Sequence, residues 1–83
     1  MRLPRDLSGY DLARALGVLG HEIRRQTGSH MRLITQEHEE HHVTVSKHSA
    51  LRVNTLASIL GDAAQHFEMT REELLERIFG RHG

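Results

Sequence analysis

The chain contains no cysteine and no tryptophan, only one proline, one tyrosine and two phenylalanines. Without cysteine there is no disulfide framework, no thiolate zinc site and no thiol nucleophile. Long apolar runs are missing too: nothing approaches the ~20 residues needed to span a bilayer. The N-terminal stretch "MRLPRDLSGYD" lacks the apolar segment of a signal peptide, so the expectation is a soluble, cytoplasmic protein without membrane contact. No sign of charge dominates, since 11 basic and 11 acidic side chains cancel, and the whole molecule has no broad attraction for nucleic acid. Neither a glycine-rich phosphate loop nor a Gly-x-Ser-x-Gly elbow is present.

What is there suits a folded domain. Apolar residues make up 37% and charged residues 27% of 83 positions, with no low-complexity stretch. That length predicts one domain over residues 1–83 with a single modest core. The charge is unevenly distributed: Arg24, Arg25, Arg32, Lys47 and Arg52 lie mid-chain, while Glu37, Glu39 and Glu40 cluster in one short acidic stretch. Eight histidines are many for this length, and their partial protonation below neutral pH would make the surface positive.

Five residues, "HEEHH" at 38–42, fit the template His-Glu-x-x-His of zinc proteases. The template works only on a helix, where positions four apart share a face. Its flanks argue against a helix. "TQEHEE" has no periodic apolar residue and reads as a loop, and "HHVTVS" with Val43, Thr44 and Val45 reads as a strand. In a strand His38 and His42 would stand ~13 Å apart along the chain, too far for one ion, so no metal site is expected from the template.

Elsewhere the periods are clear. Leu12, Ala15, Leu16 and Leu19 form a helical stripe, with Ser8 and Asp11 at its start and Gly20 as a left-handed stop. A helix is expected near residues 9–19. "HEIRRQT" and "HMRLIT" read as two strands around a Thr27-Gly28 turn, with Met31 and Leu33 towards the core and His30 and Arg32 on the open face. Asn54 is expected to cap a second helix carrying Leu56, Ile59, Leu60 and Ala63, which Gly61 weakens without breaking. Thr70 and Glu73 predict a capping box for a third helix that Gly80 ends. The fold class is therefore α+β, a three-stranded antiparallel sheet with helices on one face. His21 and His66 are expected to cap or border helices, and the acidic hairpin to lie beside the open face.

Histidine, arginine, lysine and hydroxyls remain as the chemical inventory. It suits attack of an RNA 2′-hydroxyl on its own phosphate, because the substrate brings the nucleophile and the protein need supply only a base, an acid and positive charge. Three segments, "DLSGYDLARAL", "GHEIRRQTGSHMRL" and "VTVSKHSALRVNTLASIL", are similar to the HicA family of small toxins, the mRNA interferases of HicA/HicB toxin–antitoxin pairs. The similarity runs from about Leu7 to Leu60. It rests on the Ser-Gly helix start, the Gly-Ser-His of the second strand, and Val-Thr-Val-x-x-His leading into a Thr-Leu-x-x-Ile-Leu helix.

The resemblance implies a fold like the double-stranded RNA-binding domain, α-β-β-β-α, here with an additional short C-terminal helix. It implies metal-independent endoribonuclease activity without a cofactor, with His30 as the catalytic residue. Gly28 would permit the turn, and Ser29 would bond a neighbouring backbone group to hold His30. Arg25, Arg32 and Lys47 are the candidates for phosphate contacts. His48 matches the family's histidine after the third strand, as a second acid or base, an RNA contact or a loop hydrogen bond. The implied partners are mRNA and a HicB-type antitoxin covering His30, with no DNA contact by this chain. Ser46 and Asn54 stand where the family commonly has proline and glycine. A non-catalytic RNA-binding module of the same shape is the alternative. A protein-interaction or metal-sensing domain built on the histidine-rich hairpin is a third reading.

Overall fold

A computed structural model describes Leu3 and residues 6–80; the N-terminal reading therefore falls partly on residues 1, 2, 4 and 5, outside the described residues. The order is α1 (Gly9–Leu16), a 3-10 turn (Gly17–Leu19), β1 (Glu22–Thr27), β2 (His30–Thr35), β3 (His41–Ser46), α2 (Val53–His66) and α3 (Arg71–Phe79). The strands form one antiparallel sheet in the order β1-β2-β3. This is the α+β layout expected, with the extra C-terminal helix.

Local signals set the helix starts. The Ser8 hydroxyl accepts from the Asp11 N–H while the Asp11 carboxylate accepts from the Ser8 N–H, and Thr70 and Glu73 repeat that reciprocal pair at α3. The Thr70 N–H and hydroxyl bonds hold the Glu73 carboxyl below its usual range. Gly20 takes φ of 87° after the 3-10 turn, the left-handed stop expected there. Asn54, however, does not cap α2. Arg52 is the N-cap, with no side-chain bond, and Asn54 lies inside the first turn. The buried Leu51 fixes the chain just upstream by donating its N–H to the Leu7 carbonyl at 2.7 Å, so a tertiary contact starts the helix before Asn54 is reached.

The core lies between the helices and one face of the sheet. Leu12, Leu16 and Leu19 meet Met31, Leu33, Val43 and Val45 from the sheet and Leu56, Leu60, Leu74 and Leu75 from α2 and α3. Strand alternation sends His30, Arg32 and Thr44 to the opposite, exposed face. Every residue of β1 is exposed. This edge carries Glu22, Arg24 and Arg25 and a bulge between Ile23 and Arg25, features that discourage unwanted strand pairing.

The Ser-Gly start of α1 has a specific physical basis. A Cβ on Gly9 would run into the Ser46 carbonyl and crowd Lys47 Cα at 3.3 Å, and the Gly9 N–H donates to the His48 carbonyl at 3.0 Å. Helix α1 thus begins pressed against the end of β3, on the segment that carries Lys47 and His48. Although alanine is the better helix former, Gly9→Ala is expected to lower stability by about 1–3 kcal/mol. Urea unfolding of the two proteins checks this, and a stabilised variant would show that the contact is loose.

Candidate functional site on the open sheet face

The β1–β2 turn places the histidine of Gly-Ser-His at the start of β2. Gly28 adopts φ of 49° with open space around it, so the tight turn exploits glycine's freedom in the left-handed region. The Ser29 hydroxyl lies 3.4 Å from His30 Nδ1, a long contact to the side chain rather than to backbone as the sequence suggested. It is the Ser29 carbonyl that ties the turn down, accepting the Lys47 N–H at 2.7 Å. His30 pairs with Thr27 on one side and Ser46 on the other, and its ring is exposed.

Beside it, Arg25 of β1 stands directly opposite Arg32 of β2. Like charges directly opposed across a strand pair are destabilising, and among the described residues neither guanidinium has an ion-pair partner. Arg24, by contrast, reaches Glu22 at 3.5 Å. Arg25, Thr27, His30, Met31, Arg32 and Thr44 line one concavity of about 280 Å³. It therefore combines two unneutralised guanidinium groups, an accessible imidazole and two hydroxyls, a donor-rich set suited to phosphate.

Not every candidate converges there. Lys47 and His48 follow β3 and do not line the concavity; Lys47 is half-buried and donates its backbone N–H to the β1–β2 turn, while His48 is exposed. Thr27 and Thr44 do line it, and sequence reading overlooked them. Thr44 pairs with Arg32 in the β2–β3 register, a neighbour that an alternating pattern alone could have indicated.

The acidic hairpin is elsewhere. Residues 36–40 follow Thr35, at the far end of β2 from His30, five residues or ~17 Å along the strand; the hairpin borders the open face, where Glu40 meets His42, but at the end away from the concavity. Glu40 is occupied locally: its carboxylate bonds His42 Nε2 at 2.6 Å and Gln36 at 3.2 Å, and the His42 bond, then Gln36, holds its carboxyl below the usual range. His38 has φ of 54° in the loop and His42 lies in β3, so the zinc-protease template does not lie on a helix. Among the described residues no group of three or more histidine or carboxylate side chains is placed to hold a metal ion, and no helix is long and apolar enough to cross a membrane.

Comparison with known proteins adds the family. No curated protein and no solved structure matches the chain. One family model does, that of the HicA toxin of bacterial toxin–antitoxin, over residues 9–64. The matched span begins at the glycine packed on Ser46, includes the Arg25–His30–Arg32 concavity and ends within α2, and so the chain belongs to the HicA family of toxin–antitoxin toxins.

Proposed function

We propose that this toxin is a metal-independent endoribonuclease, an mRNA interferase that inhibits translation by cutting mRNA at the open sheet face. The observation that carries the reading is the exposed His30 beside two opposed, unneutralised arginines. In the reaction His30 takes the proton of a ribose 2′-hydroxyl, whose oxygen attacks the adjacent phosphorus. The bond to the 5′-oxygen breaks and that oxygen leaves with a proton returned by His30 or given by His48, giving a 2′,3′-cyclic phosphate and a 5′-hydroxyl. Charge develops on the phosphoryl oxygens during transfer, and the Arg25 and Arg32 guanidinium groups supply fixed donors for it. Ser29 and Gly28 position His30, Lys47 contributes positive charge from the end of β3, and His48 is the candidate second acid or RNA contact. Antitoxin of the HicB type would inhibit by covering His30 and its arginines. Complex formation, without covalent change, would be the regulation.

The test is incubation of purified protein with mixed-sequence RNA in excess EDTA and identification of the new 3′ ends. Cyclic phosphate ends are the expected result. RNA that binds but stays intact would replace this reading with the non-catalytic RNA-binding module, and RNA that neither binds nor is cut would overturn both.

Phosphate binding has its own signature. Each guanidinium that contacts a single-stranded phosphate contributes roughly 0.7 to the slope of log affinity against log salt. The double variant Arg25→Gln/Arg32→Gln is expected to bind RNA more weakly at low salt, with a slope shallower by ~1.4. Titration at several salt concentrations measures it, and an unchanged slope would remove both arginines from the interface.

A further inference from the structure

At the end of the sheet away from His30, a second set of titratable side chains connects segments distant in sequence. His21, just before β1, places Nδ1 3.2 Å from the Leu16 carbonyl and Nε2 3.2 Å from Nδ1 of His41, at the start of β3. His41 Nε2 lies 2.9 Å from the Asp62 carboxylate on α2. His21 is only 5% exposed and the His41 side chain 11%.

The hydrogens of this chain can be counted. The Leu16 carbonyl only accepts, so His21 Nδ1 must carry a hydrogen. An ionised Asp62 only accepts, so His41 Nε2 must carry one as well. The nitrogen–nitrogen contact takes one more. Three hydrogens on two imidazoles is one more than two neutral rings possess. We infer that His21, His41 and Asp62 form a single proton-binding site, whose one shared proton ties the end of α1, the start of β3 and the middle of α2 together.

The extra proton belongs on His41, the ring that meets the Asp62 carboxylate at 2.9 Å. Burial pushes the His21 imidazole below its ordinary value; the bond to the Leu16 carbonyl and the Glu37 charge oppose this, while His41 and His66 reinforce it. The other facing groups are accounted for. His66 of α2 stacks on His41 with ring centroids 4.3 Å apart and places Nε2 2.9 Å from the Glu37 carbonyl, and His38 lies edge-on to Phe67 at 5.4 Å.

The dependence on pH follows from the proton count. In the unfolded chain two histidines of ordinary value, 6.5, hold one proton between them at that pH. The folded pair holds one proton on both sides of it. Below pH 6.5 the unfolded chain binds more protons than the folded one, and stability falls as pH falls. Above it the folded chain binds more, and stability falls as pH rises. The contribution of the pair therefore peaks near pH 6.5, where a lone buried neutral histidine would give only the acidic arm.

Asp62→Asn is the informative variant. Its amide N–H can donate to a neutral His41 Nε2, so every bond in the chain is satisfied without the extra proton, and the fold is retained. The experiment follows urea unfolding of both proteins from pH 5 to 9. Between pH 6.5 and 8.5 the folding equilibrium constant of the wild type is expected to fall about tenfold relative to the variant, which has no extra proton to lose. Identical pH profiles would overturn the proposal. Nitrogen NMR of the wild-type imidazoles gives a second reading: near pH 6.5, His41 protonated on both nitrogens and His21 on Nδ1 alone supports it, and a neutral His41 overturns it. Neither measurement involves RNA, so the outcome is independent of the ribonuclease reading.

Discussion

RNA cleavage by the His30→Ala protein is expected to fall about 10²- to 10⁴-fold below the wild type, the usual contribution of a positioned general acid or base. The stability of the protein should barely change. His30 is exposed at the start of β2, and its pairing with Thr27 and Ser46 runs through backbone that alanine preserves. Among the described residues the one side-chain hydrogen bond it loses is the long one to Ser29. Rates should be compared at saturating RNA, in EDTA, with urea unfolding run in parallel. A large loss of rate with an unmoved unfolding midpoint assigns the chemistry to this imidazole. Retention of near wild-type cleavage would sink the His30 mechanism while leaving family membership intact, and attention would pass to His48.

Leu33→Ala tests the other face of the same strand. Leu33 is fully buried and pairs with Ile23 of β1 and Val43 of β3, so its truncation opens a cavity in the middle of the helix-covered face. Substitutions of this kind cost about 2–5 kcal/mol. A chain of this size has a total stability of only about 4–12 kcal/mol. A thermal midpoint lower by roughly 10–30 °C is therefore expected, readable by circular dichroism. At temperatures where the variant is still folded, the RNA binding proposed for Arg32 should persist, since adjacent residues of a strand face opposite ways. A loss of less than about 1 kcal/mol would mean that the helices do not close over this face as described.

The parts of the fold legible in the sequence were those governed by near neighbours. Ser8 with Asp11, and Thr70 with Glu73, satisfy helix donors three residues away, so their meaning survives without knowledge of the rest of the chain. The same holds for the alternation of His30, Met31, Arg32 and Leu33, which sorts side chains to two faces whatever packs on them. Arg25 and Arg32 were both candidates from their charge and position. That they stand directly opposite each other was not readable, because the bulge between Ile23 and Arg25 shifts the register of β1 by an amount that only its pairing with β2 reveals. The helix start at Val53 was missed for a similar reason: the bond from Leu51 to Leu7 spans most of the domain and overrides the local capping preference of Asn54.

The histidines divide along the same line. Composition marked them as numerous, and spacing dismissed the zinc-protease template, because His38 and His42 do not share a helix. By itself, then, the sequence determined the order of helices and strands, the face on which His30 lies, and the family that its motifs resemble, since each depends on a local period or a short motif. Only the tertiary structure decided that Arg25 meets Arg32 beside His30, that the acidic hairpin lies away from them, and that His21, His41 and Asp62 join across 20 residues or more of chain. Such contacts depend on how distant segments pack, and no local pattern encodes their distances.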